Sequence, residues 1–302
     1  MWIKQAKFFM LPENAIPDRE TLSQALSEHA FQAVSGLALF SEGFANAVPF
    51  SDDLVFSTQN SDKISLKKEE RILPAAAVKD LLEDKIADIQ AKTARTVGRK
   101  EKQRIKEELI NELLPKTLSK SSRTHLYLLP KSGLLLVDNA NANRAENAVS
   151  RFREALGDLP AVLPNTVKSP EQLMTDWLLS GECAGGFDLD DSCEMKSLAD
   201  ETGTTVRIAK ADLTSDEVVQ HAKSGKTVTQ LGLTWQDKIA FVLSNDLSIK
   251  RIRFLDIVQE EAENDSDDLP ALTAATQLLA TQTLADMIDE LIAHLGGVSS
   301  EQ

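Results

Sequence analysis

Residues 92 to 106 read KTARTVGRKEKQRIK, seven Lys or Arg against the single acid Glu101, a local charge of +6. The chain as a whole carries −14, so the 26 basic and 46 acidic residues outside this stretch sum to −20. Lys92, Arg95, Arg99, Lys100, Lys102, Arg104 and Lys106 are the residues here whose type and spacing can do chemistry, and that chemistry is phosphate contact. It would be insensitive to base sequence. Residues 57 to 126 contain no Phe, Trp or Tyr, so a platform that stacks unpaired bases is not expected. Lys116, Lys120 and Arg123, then Arg207 and Lys210, then Lys250, Arg251 and Arg253 are smaller basic groups that extend the track if the fold gathers them.

Catalytic patterns are absent. No GxGxxG, GxxxxGK[ST], HExxH or GxSxG occurs, and His29, His125, His221 and His294 are scattered. Asp52–Asp53 and Asp190–Asp191 are adjacent acids of the kind that can hold a divalent cation, though such pairs more commonly mark solvated loops. Cys183 and Cys193 have neither CxxC spacing nor a histidine cluster beside them, which argues against a disulfide scaffold or a zinc site and for a reducing cytosol. The expectation is a protein with no catalytic residue, no metal and no cofactor. No apolar run approaches the roughly 20 residues of a membrane span, and no signal-peptide-like stretch follows the N-terminus.

The elements that must position the cations follow from periodicity. Between Pro74 and Pro115, Val78, Leu82, Ile86 and Ile89 recur at helical spacing, as do Ile105, Leu109 and Leu113 beyond Gly98. The pattern predicts an αα-hairpin turning near 96–99, a protruding cationic arm about 22 Å long. On its second helix Arg99, Lys102 and Lys106 share the side of Leu109 and Leu113. No compensating acids surround Arg95 to Lys100.

Before the hairpin the chain reads as a strand near 3–11, a helix near 18–34 capped by Asp18, and short strands in GLALFSEGFANAVPF and DLVFSTQ. After it, HLYLL and GLLLV predict a β-hairpin, and a helix over 143–156 ends at Gly157. Ser169 and Pro170 open another helix that runs to Gly181. TVRIAK reads as a strand, Thr214 to Glu217 as a capping box, and KTVTQLGLTW, KIAFVLS and SIKRIRF as three antiparallel strands. Residues 256 to 268, DIVQEEAENDSDD, read as an acidic linker, and Leu284, Met287, Ile288, Leu291, Ile292 and Leu295 as an apolar helical face. That face either docks on its own domain or meets a copy of itself. The fold class is α+β, antiparallel sheets with packed helices. The domains are a central one (1–74 with 116–165), a helical-hairpin tip (75–115) and a C-terminal base (166–302).

The stretches KKEERILPAAAVKDLLEDKIADIQ, NELLPKTLSKSSRT, GLLLVDNANANRAE, DLTSDEVVQHAKSGKTVTQLGLTWQDKIAFVLSNDLSIKRIRF and ELIAHLGG resemble the bacterial recombination-associated protein RdgC family, in matching order over nearly the whole chain. The resemblance implies a non-catalytic, nucleoid-associated cytoplasmic protein. Its subunit would be horseshoe-shaped and pair into a ring-like homodimer through which duplex DNA passes, restraining RecA-driven strand exchange in recombination and replication. Single-stranded DNA is a second candidate ligand. The resemblance places Leu118 and Ser119 where subunits meet, at a position where relatives can carry an aromatic, and Lys210 in the family's basic pattern. Leu284, Ile288 and Leu291 are the candidates for the other contact between subunits. Two other readings remain: an interaction adaptor whose basic hairpin binds an acidic protein partner, and a metal-dependent nuclease.

Overall fold

The computed structural model describes residues 2–12, 15–197, 203–264 and 268–299. In chain order the first half runs β1 (Lys7–Met10), α1 (Arg19–Glu28), β2 (Phe40–Ala45), β3 (Val55–Ser57), β4 (Asp62–Arg71), α2 (Ala75–Thr93), α3 (Arg99–Leu113), β5 (Ser119–Leu129), β6 (Leu134–Val137) and α4 (Ala142–Leu156). The second half runs α5 (Pro170–Ser180), β7 (Phe187–Ser197), β8 (Thr205–Ala209), α6 (Asp216–Lys223), β9 (Lys226–Trp235), β10 (Ile239–Ser244), β11 (Ile249–Phe254), α7 (Asp256–Asn264) and α8 (Leu269–His294). Among the described residues the class is therefore α+β, with eight α-helices and two antiparallel sheets. No helix among them is long and apolar enough to cross a membrane.

The chain forms two compact units, one of Met1–Glu28, Asn46–Ser65 and Thr124–Gln302, the other of His29–Ala45 and Leu66–Arg123. In the larger unit β1 pairs β6 and β6 pairs β5 in antiparallel register, with β3 on β4. A second sheet in the same unit takes the order β11-β10-β9-β7-β8. Leu231, Leu233, Phe241, Leu243 and Ile252 from this sheet form one core with Leu284, Met287, Ile288 and Leu291 of α8.

Local signals set the helix ends. Asp18 Oδ1 accepts the backbone N–H groups of Glu20 and Thr21, each at 3.0 Å, which starts α1 and holds the Asp18 carboxyl below its ordinary pKa. Ser169 and Asn141 cap α5 and α4 in the same way, each at 3.1 Å. The expected capping box at Thr214 does not form. Asp212 takes both the amide and the hydroxyl of Thr214, at 2.9 and 2.6 Å, so α6 begins one turn position later behind Ser215.

Two further corrections concern the C-terminal part. The acidic stretch is not a linker through Asn264: it is α7, because Val258 and Ala262, four apart, bury one face while the acids stay in water. Residues 265–267 of that stretch lie outside the described residues. Leu284, Ile288 and Leu291 are fully buried against the sheet of their own unit. They are core residues and not a contact with a second copy. The same helix carries Glu290, whose carboxylate accepts Gly186 N–H at 2.9 Å and Trp235 Nε1–H at 2.7 Å. Gly185 beside it has φ +66°, and a Cβ there would stand 2.1 Å from Glu290 Oε1, so only glycine fits.

Asp138, at the end of β6, is pushed up by burial from 3.8 to about 6, against the opposing pull of backbone N–H groups of Lys4 and Gln5. Its folded-state pKa lies above the unfolded one, so between these values the native state holds the proton and stability falls as pH rises. Asp138→Asn should remove about 3 kcal/mol of that pH-dependent change between roughly pH 4 and 6. Denaturant midpoints of wild type and variant at half-unit pH steps measure it, and parallel profiles would refute the assignment.

Candidate nucleic-acid interface

In the smaller unit α2 and α3 lie against each other along an apolar seam. Val78 and Leu82 of α2 and Ile105 and Leu109 of α3 are buried in it, with Leu73, Ile86, Ile89, Val97, Ile110 and Leu113 packed at its edges. The spacing that predicts the two helices thus also names their contact. Pro74 sits at the N-cap of α2, Ala94 ends it in the left-handed conformation at φ 49°, and Gly98 precedes α3.

The cations beside the seam divide into two sets. Arg95 curls back from the turn and gives two hydrogen bonds of 2.6 Å to the Glu101 carboxylate, which lowers the Glu101 pKa. This corrects the expectation of no compensating acid near Arg95: Glu101 is distant by helical spacing, but the turn brings Arg95 to it. Arg104 and Lys116 each approach an acid four residues away, Glu108 and Glu112, at 3.6 Å. Lys85 reaches across the two helices to Glu112 at 3.1 Å.

Arg99, Lys100, Lys102 and Lys106 form the other set. They are exposed and make no ion pair among the described residues. With Lys79 and Gln103 they line a groove of about 1060 Å³ whose apolar wall is Leu73, Ala75, Val78, Leu82 and Ile110. The buried face of α3 is centred on Ile105 and Leu109, so the cationic stripe flanks that face where a shared side was expected. Arg99 and Lys100 occupy the first turn of α3, the positive end of the helix dipole. Arg99 with Lys102 and Lys102 with Lys106 are like charges at three and four residues, each pair unfavourable by about 0.2–0.5 kcal/mol. An anion in the groove relieves both costs.

Of the remaining sequence candidates in this unit, Lys92 is exposed in the last turn of α2, and Lys120 and Arg123 lie exposed on β5. None of the three lines the groove. Arg207 and Lys210 belong to the other unit: Arg207 Nε donates to Glu194 at 2.7 Å, and Lys210 follows β8 with φ 56°. Arg251 and Arg253 there share a small cleft of about 220 Å³ with Asp190 and Asp191. Among the described residues no group of three or more His, Cys, Asp and Glu is placed to hold a metal ion.

Leu118 is 80 % exposed. Ile72 N–H donates to Leu118 O and Arg71 N–H to Leu39 O, both at 2.8 Å, which brings three segments side by side, and Ile72 beside Leu118 is exposed as well, as is Leu39. Phe40 beside them carries Lys68 over its ring at 4.7 Å. The Ser119 hydroxyl is engaged with Glu69. Sequence reasoning names Leu118 but misses Leu39, Phe40 and Ile72, because no local periodicity reports which strands become neighbours. It also misses Lys79 as a groove residue. The signal for it is present, one position beyond the seam residue Val78.

Fold and site together define an α+β protein in which a cationic helical hairpin, largely free of counter-charges along one groove, is set into an acidic chain. A family model described as "Putative exonuclease, RdgC" matches residues 1–298. The Recombination-associated protein RdgC of Neisseria meningitidis (strain FAM18) is 49 % identical over 297 residues, covering 98 % of this chain and 99 % of the relative. Those of Laribacter hongkongensis and Pseudomonas aeruginosa are 46 % and 39 % identical over 98 % of this chain, and over 99 % and 98 % of the respective relative. The chain belongs to the RdgC family.

The seam can be tested directly. Leu82→Ala, which empties a buried site between the two helices, should cost about 2–4 kcal/mol of stability. Chemical denaturation with a helix-sensitive readout checks this, and a loss below about 0.5 kcal/mol would mean that the seam does not hold the hairpin.

Proposed function

We propose that this protein binds duplex DNA without sequence preference, as a homodimer, and by occupying the duplex restrains RecA-driven strand exchange during recombination. The observation that carries the reading is the set Arg99, Lys100, Lys102 and Lys106, unpaired among the described residues along one groove of the N-terminal half of α3 in a chain of charge −14. Uncompensated like charges persist at a cost unless something anionic uses them, and phosphate is the anion a recombination protein meets. The relatives' name, Recombination-associated protein RdgC, agrees with that setting. The hairpin acts as an arm that reaches the duplex. Lys92, Lys120, Arg123, Arg207 and Lys210 extend the contact, and in the ring-like pairing the phosphate-facing charge is doubled. Duplex is preferred over single strands, since the hairpin has no aromatic side chain on which a base can stack. The protein works on the nucleoid, in the cytoplasm.

Random-sequence duplex titrated at several salt concentrations is the test. If a dimer neutralises about 6–10 phosphates, affinity falls roughly 10³- to 10⁵-fold between about 50 and 200 mM salt. Replacing Arg99, Lys100, Lys102 and Lys106 together by Gln should flatten that slope without lowering Tm. An unchanged slope removes the groove from the interface.

The pairing of subunits is read as using Leu118 and its exposed backbone-bonded neighbour Ile72, because large apolar side chains exposed beside one another mark interaction sites. Leu118→Asp should shift the solution mass toward the monomer and weaken duplex binding at limiting protein concentration, as light scattering reads it. The function proposed is non-enzymatic, whereas the family model's description names an exonuclease. End-labelled duplex should survive prolonged incubation with Mg²⁺ or Mn²⁺. Release of label from a duplex end would replace this reading with the described activity.

A further inference from the structure

We infer that the groove between α2 and α3 is also a docking site for an acidic amphipathic helix of a partner protein. The inference stands whether or not the same cations hold DNA. Phosphate contact accounts for the rim of the groove and leaves part of its wall unexplained. A DNA backbone presents charged oxygens and sugars, and it has nothing to place against the exposed Ala75 or the half-buried Leu73 and Ile110, the part of the wall that the seam leaves uncovered.

The lining has the geometry of an unfinished helical layer. Ala75, Val78, Lys79 and Leu82 recur at i, i+3, i+4 and i+7 along α2, and Arg99, Lys102, Gln103, Lys106 and Ile110 recur likewise along α3. Two such stripes, one from each helix, line the same groove. At 1.5 Å per residue these stripes are about 10 and 16 Å long, two to three turns of a third helix. Two helices packed together leave such a groove between their ridges, and a third helix fills it with residues at i, i+3, i+4 and i+7.

Charge then selects the occupant. The rim carries Lys79, Arg99, Lys100, Lys102 and Lys106, and among the lining residues there is no acid. Among the described residues only Lys79 of the five has an acid within reach, Glu83 at 3.8 Å. A basic helix is repelled and a purely apolar one leaves four cations unpaired beside it. A helix with aliphatic side chains along one stripe and Glu or Asp flanking that stripe satisfies wall and rim together.

The test uses the full-length protein and a short fluorescein-labelled peptide with Leu at i, i+3, i+4 and i+7 and Glu at the flanking positions. The control peptide has every Leu replaced by Ser, with the charge unchanged. Fluorescence anisotropy should show the Leu peptide binding at least about tenfold more tightly than the Ser peptide. Ile110→Ser should reduce that preference several-fold. Ala75→Glu, an exposed position where a carboxylate suits the start of α2, should weaken the Leu peptide and leave the helical signal of the hairpin intact. Equal binding of the two peptides, or no binding of either, overturns the inference, and so does an unchanged preference in both variants. Failure of the protein to bind duplex would overturn the proposed function alone.

Discussion

The apolar seam between α2 and α3 is the interaction on which the rest of the site depends. Burying a side chain such as Val78, Leu82, Ile105 or Leu109 is worth about 1.5–3 kcal/mol. Each like-charge pair along the adjacent stripe costs about 0.2–0.5 kcal/mol. The seam therefore wins by a wide margin, and four cations remain side by side although each repels its neighbours. Without that seam the same residues would separate in solution, and the local charge of +6 would be lost in a chain of −14.

The larger unit shows how polar groups are admitted to a core when their donors find partners. Lys7, 4 % exposed, donates to Asp246 Oδ2 at 3.0 Å and to Ser248 Oγ at 3.3 Å, so a charge at the start of β1 is answered by the turn between β10 and β11. Gln277 of α8 donates to Ser61 O at 3.2 Å, and Thr281 one turn later reaches Ser61 Oγ at the same distance. A buried polar group left unpaired costs about 1–3 kcal/mol, so these contacts fix which face of α8 meets the turn before β4. The apolar face beyond them, from Leu284 to Leu291, then has one place to go. A sequence shows that such a face exists. Only the fold shows that its own sheet covers it.

What was legible in the sequence follows the same division. Helices with explicit caps, α1 at Asp18 and α5 at Ser169, are readable because their signals lie within a few residues, and α4 is readable from its periodicity and its stop at Gly157 although its cap, Asn141, is not. Strands β9, β10 and β11 are readable because their apolar residues run between clear turns. Strands β4 and β7 are not: DKISLKKEER and FDLDDSCEMKS carry so many charges that their alternation is masked, and β7 is interrupted by register shifts near Leu189 and Cys193. In the candidate interface the cations are visible as composition. Their sorting into paired and unpaired is not, since Arg95 meets Glu101 only through the conformation of residues 94–98.

That sorting decides what the hairpin can bind. Arg95, Arg104 and Lys116 already face carboxylates, and an incoming anion must compete with those for them. Arg99, Lys100, Lys102 and Lys106 offer their charge without such competition, and the dipole of α3 adds to the field at Arg99 and Lys100. At physiological salt a field of this kind is screened over about 8 Å, so the acidic remainder of the chain does not cancel it at the groove. A phosphate backbone and an acidic helix would both draw on these four charges, and a single groove cannot hold both. The apolar wall then becomes the discriminating element: it contributes nothing to phosphate and a large share to a helix, so occupancy is set by which ligand also brings side chains for Leu73 and Ile110.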